Sequence, residues 1–72
     1  MNKFIVGNEY RWEGSNPYNV IYLCTKTTDC FVEFVAFREG QVGFHHKFRK
    51  FECADGEYIK VNRWVRLFAK QN

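Results

Sequence analysis

The octapeptide FHHKFRKF, Phe44 to Phe51, sets two histidines and three strong cations among three phenylalanines. Together with Cys24, Cys30 and Cys53, His45 and His46 are the candidate donors for a zinc-like ion. Structural zinc takes four such donors, commonly presented as cysteine pairs two to four residues apart. Cys24 and Cys30 have five residues between them, no second pair follows, and adjacent histidines in an extended segment point to opposite faces. The expectation is therefore no metal and no cofactor. A cysteine–histidine nucleophile pair needs a thiolate-stabilising setting and a third, orienting group, and no spacing here brings those together. Glu33 alone among the carboxylates sits inside an apolar run, where a solvated residue or a partner for a cross-strand cation is the expected role. No phosphate-cradling glycine loop and no acid–base carboxylate pair is present, so the chain reads as non-enzymatic.

What remains is charge and flat rings. Lys47, Arg49, Lys50, Lys60, Arg63 and Arg66 are candidate phosphate contacts, with Tyr10, Trp12, Tyr58 and Trp64 as candidate stacking platforms. Cations supply salt-dependent affinity and aromatic faces stack on exposed bases, a combination suited to single-stranded DNA or RNA. The same residue types anchor protein interfaces. The net charge is +3, unevenly spread: residues 1–37 hold three Lys/Arg against four Asp/Glu, −1, and residues 38–72 hold eight against four, +4. The basic half implies an acidic partner, nucleic acid or an acidic protein surface.

A chain of 72 residues, 46% apolar and 19% aromatic, fits one small domain over 1–72 with a core rich in rings. One such core supplies only about 3 to 5 kcal/mol, so a monomer or a weak homodimer is expected. The apolar run before Gly7 is three residues, far short of a leader or a membrane span. Three cysteines cannot all pair within one monomer, and a reducing cytoplasm with free thiols is the expected setting. One bridge, Cys24–Cys53 or Cys30–Cys53, stays open.

The elements that must carry these residues read as strands. In YNVIYLCTK, Tyr18, Val20, Tyr22 and Cys24 share a face; in CFVEFVAF, Val32, Phe34 and Ala36 do, opposite Phe31, Glu33, Val35 and Phe37. Turns are expected at Gly7-Asn8, Gly14–Pro17, Thr27–Asp29, Arg38–Gln41 and Ala54–Gly56. In FHHKFRKFEC, Phe44 and Phe48 point inward and most cations outward, until Phe51 and Cys53 break the alternation; a bulge or strand break near Arg49 would restore it. Pairing across Ala54–Gly56 would bring Lys60 near Lys50 or Arg49. Residues 62–70 match both a helix with Asn62 as its cap and a final strand, and the strand is preferred. Five or six short strands predict a mainly β fold, an SH3-like barrel or a compact antiparallel sandwich.

The segments VGNEYRW (6–12) and PYNVIYLCTKTTDCFVEF (17–34), followed by a glycine turn, a lysine-rich stretch and a late Trp64, resemble the small SH3-like β-barrel proteins of tailed bacteriophages. The resemblance covers most of the chain and carries no site residues. It implies an accessory phage protein, made in a bacterial cytoplasm, that binds a host or phage macromolecule. On that ground an acidic host protein, modulated or inhibited through the Lys47, Arg49, Lys50 face, stands first among the expected partners, and nucleic acid second.

Overall fold

The computed structural model describes residues 2–11, 19–38 and 41–70, with Val42 described by its backbone alone. The chain is mainly β, with no helix among the described residues. Seven strands follow in order: β1 (Glu9–Tyr10), β2 (Ile21–Thr27), β3 (Phe31–Arg38), β4 (Gln41–Arg49), β5 (Phe51–Cys53), β6 (Gly56–Lys60) and β7 (Arg66–Phe68). They form two antiparallel sheets, β1-β2-β3-β4 and β5-β6-β7. The turns expected at Gly7-Asn8, Thr27–Asp29 and Ala54–Gly56 are in place, with Thr27 ending β2 and Gly56 opening β6, while Gly14–Pro17 and residues 39–40 of the turn after β3 lie outside the described residues.

Alternation builds the core. Tyr22 and Cys24 of β2 stand opposite Ala36 and Phe34 of β3, which face Phe44 and His46 of β4. This face meets Ile59 of β6 and Leu67 of β7, and the N-terminal segment inserts Phe4 between the sheets. Four rings then pack edge to face: Phe4 on Tyr10 at 5.0 Å, Phe4 on Phe34 at 5.3 Å, and Tyr22 on Phe34 at 5.5 Å. Each such pair adds about 0.5 to 1.5 kcal/mol beyond the area it buries, which is how so short a chain fills its centre. Tyr10, a candidate stacking platform by sequence, is one of these core rings. Its hydroxyl accepts from the Ile5 amide at 2.8 Å and reaches the Lys3 carbonyl at 3.4 Å.

Two irregularities decide which side chains face out. Between Cys24 and Lys26 the β2–β3 register slips, so Thr25 is unpaired, Lys26 moves to the Glu33 side and Thr27 turns inward opposite Val32. Between Ala36 and Arg38 it is β4 that carries the extra residue, at Val42 and Gly43. A Cβ on Gly43 would stand 1.9 Å from the Ala36 carbonyl oxygen, so only glycine allows that approach.

Of the bulge or strand break expected near Arg49, the break is in place, at Lys50 between β4 and β5, but it does not return Phe51 to the core, because alternation continues from β4 into β5. Arg49 and Phe51 both point outward, and Lys50 between them points in. Phe44 keeps the inner side yet is 74% exposed, because it lies towards the strand end, away from the core that covers Phe34. The C-terminal segment resolves as a turn, 62–65, followed by β7. Asn62 caps the turn: its Oδ1 accepts from the Trp64 and Val65 amides at 2.8 and 2.9 Å.

Candidate nucleic-acid interface

The tight turn at Ala54-Asp55 fixes the register of the second sheet, and the register fixes the site. With Cys53 opposite Gly56, Phe51 stands opposite Tyr58, and Tyr58 opposite Phe68. Ile59 and Leu67 are buried, so Tyr58 and Phe68 necessarily face out. The three rings form a row across the three strands, Phe51 stacked on Tyr58 at 5.5 Å and 23°, Tyr58 tilted against Phe68 at 5.4 Å and 37°. Lys60 and Arg66, partners across β6 and β7, lie over this row: the Lys60 ammonium is 4.8 Å from the Phe51 centroid, and the Arg66 guanidinium 5.4 Å from Tyr58. At the edge, the capped turn holds Trp64 82% exposed with the Arg63 guanidinium 5.8 Å from its ring. The outward positions of these strands, Phe51, Cys53, Tyr58, Lys60, Arg66 and Phe68, include no carboxylate.

Five of the candidate residues are thus brought to one sheet: Tyr58, Lys60, Arg63, Trp64 and Arg66. Phe51 and Phe68 complete the row and were missed, Phe51 because its apolarity suggested burial. A signal was available, since a tight Ala54–Gly56 hairpin places Phe51 on the face of Tyr58. Trp12 lies outside the described residues.

Lys47 and Arg49 belong to the other sheet. Lys47 extends its ammonium over Phe31 at 4.7 Å, and Arg49 is the register partner of Phe31. Glu33 lies on the same face, 3.3 Å from His45 Nε2 and 4.0 Å from Lys26 Nζ, a cross-strand partner as its position suggested. His45 and His46 face opposite ways; His46 stacks on Phe48 at 5.8 Å.

Lys50 is the correction. Expected on the outer basic face, it turns inward, with its side chain 9% and that of Glu57 6% exposed. Its ammonium is 2.9 Å from Glu57 Oε2 and donates to Thr27 Oγ1 at 3.0 Å, while Glu57 Oε1 accepts from the Phe4 amide at 2.9 Å. A buried cation needs a partner of this kind, and Lys50 points away from the outer face as a structural pin. Lys60 lies over the Phe51 ring on the outer face, while Lys50 points in. The pin lines an open cleft of about 470 Å3 with Lys3, Asp29 and Glu52.

The three thiols are free: Cys24 buried, Cys53 half-buried, Cys30 exposed. The described residues hold no cluster of three donors placed for a metal ion. Burial pushes the Cys24 thiol up from its ordinary 9.0 and the Tyr22 phenol up from 10.0. Both groups then keep their protons in the folded chain where the unfolded chain would ionise. Their contribution to stability is therefore intact below about pH 9 and is lost as pH climbs through the raised values. A disulfide reagent at pH 8 should modify Cys30 first, Cys53 more slowly, and Cys24 only on unfolding, as read by peptide mass mapping; early labelling of Cys24 would contradict its burial.

Comparison with family models, with curated proteins and with solved structures finds no match to this chain. No helix among the described residues is long and apolar enough to cross a membrane.

Proposed function

We propose that this chain is a small non-enzymatic binding module that takes single-stranded nucleic acid on the outer face of β5-β6-β7. The supporting observation is the row Phe51–Tyr58–Phe68 with Lys60 and Arg66 over it and no outward carboxylate. Rings on a rigid sheet stack against bases of any sequence, at about 1 to 3 kcal/mol per base, while the cations meet phosphates. A duplex hides its base faces, so a stacking row favours a single strand.

An acidic protein surface, the partner the phage resemblance put first, would use the same cations. The exposed Trp64 and Arg63 on their capped turn are residue types that anchor such contacts. The ring row turns the preference to nucleic acid, because charge attraction alone has no use for three rings in register.

Fluorescence anisotropy with labelled oligothymidylate and oligouridylate tests the reading, with polyglutamate of matched charge as competitor. Binding should weaken steeply with salt, Tyr58→Ala should lower affinity about 10- to 100-fold, and Lys60→Glu with Arg66→Glu should remove it. Polyglutamate competing as well as the oligonucleotide would favour the acidic protein. No binding of either oligonucleotide at low salt would exclude the nucleic-acid reading.

A further inference from the structure

The row of rings does not end at the border of its sheet. Arg49 closes β4 and Phe51 opens β5, and both face outward on either side of the inward Lys50. Two residues of extended chain span only about 7 Å, so the outer surface of one sheet runs directly into that of the other at this corner.

On the far side of the corner the chemistry repeats. Phe31, 38% exposed, is the register partner of Arg49, and the Lys47 ammonium lies over its ring at 4.7 Å, close to the 4.8 Å of Lys60 over Phe51. The carboxylate nearest in register to Lys47 is its own partner across the strands, Glu33. Yet Lys47 lies over the ring, and Glu33 is engaged by His45 and Lys26 on its other sides. Lys47 and Arg49 are thus held beside an exposed ring with no acidic partner among the described residues, while Glu33 marks where the positive surface stops.

Resting on the single-strand reading above, we infer that one continuous track runs from Phe68 over Tyr58 and Phe51, across the Arg49 corner, to Phe31. It is lined by Arg66, Lys60, Arg49 and Lys47. The site is then longer than the three-stranded sheet: a short oligonucleotide fills the Phe51–Tyr58–Phe68 row, and only a longer one reaches Phe31. Small barrels occupy roughly 4 to 16 nucleotides, and this track spans the lower part of that range.

The test compares oligothymidylates of about four and about eight nucleotides on the wild-type chain and on Lys47→Glu with Arg49→Glu. The wild-type chain should bind the longer probe at least about tenfold more tightly, since each further stacked base or phosphate contact adds about 1 kcal/mol or more. The double variant should lose that advantage and keep its affinity for the short probe, with a salt slope lower by about 1.4 for the longer one. Phe31→Ala, an exposed change with little to disturb in the core, should lose the same advantage; Lys47→Gln with Arg49→Gln serves if charge reversal lowers the melting temperature. Equal loss for both lengths would mean that the two cations act only through net charge, and an unchanged length advantage would place the path elsewhere; either overturns the track and leaves the sheet site standing. Failure of the wild-type chain to bind either probe would overturn both.

Discussion

Replacing Lys50 with methionine should unfold most of the chain at room temperature. The substitution removes the cation from Glu57, whose carboxylate is 6% exposed and fixed by the Phe4 amide. Leaving one member of a buried ion pair unpaired costs about 3 to 5 kcal/mol. One core of this size supplies about as much. A surface lysine would be worth less than 1 kcal/mol, so the measurement separates the inward pin from an outward docking cation. The second variant, Lys50→Met with Glu57→Gln, should recover much of the loss, because the glutamine oxygen can still accept from Phe4 while no charge is left buried. Urea unfolding followed by circular dichroism reads both. A Lys50→Met chain as stable as wild type would show that Lys50 faces water and would return it to the binding surface.

The inward turn of Lys50 also explains where period-two reasoning stops working. On β2 and β3 apolar residues fill both faces, and the parity of Tyr22, Cys24, Val32 and Phe34 is the buried one. Along 44–53 both parities carry phenylalanine, so counting apolar residues cannot choose the inner face. What chooses is a contact between distant residues. Lys50 must reach Glu57, and it also reaches Thr27, which faces inward only because the slip at Thr25 reverses the parity of β2. A bulge leaves little trace in the residue types around it, so Thr27 and Lys50 could not be paired from spacing alone.

The candidate site was legible in its second half for a related reason. Tyr58, Lys60, Arg63, Trp64 and Arg66 lie after one unambiguous turn, and local pairing from Ala54 onward keeps them together. Phe51 reads as core because a phenylalanine placed in water is the exception, and Phe68 lies in a segment whose helix and strand patterns leave its side open. Phe68 is outward because Leu67 takes the inner position of β7, and Phe51 because it pairs with Tyr58, which Ile59 turns outward on β6. The outward rings bury much of their surface against one another and under Lys60 and Arg66, so the row costs less exposure than three isolated rings would. The Asn62 signal was real but belonged to a turn: an asparagine that accepts from amides two and three residues on closes an Asx turn as readily as it starts a helix.

Gly56→Ala should lower stability by about 3 kcal/mol. Gly56 holds φ at +129°, in a region that side-chain-bearing residues rarely adopt, and an added Cβ would stand 2.4 Å from the Asn2 carbonyl oxygen and 2.7 Å from the Asn2 nitrogen. That backbone cannot simply move aside. The Asn2 carbonyl accepts from the Glu57 amide at 2.8 Å, and its side chain donates to the Asp55 carbonyl at 2.9 Å. Displacing Asn2 pulls on Phe4 two residues later, and so on the amide that Glu57 holds beside Lys50. Backbone strain of about 1 to 2 kcal/mol and overpacking of about 1 to 3 kcal/mol therefore act together at one point. Gly7→Ala is the control, for Gly7 has φ +93° with nothing within 4 Å of the added atom, and it should show the backbone cost alone. Chemical unfolding of the two variants side by side measures the difference; equal losses would mean that the N-terminal segment yields freely and that Asn2 does not tie the start of β6, the strand that carries Tyr58 and Lys60, to the rest of the fold.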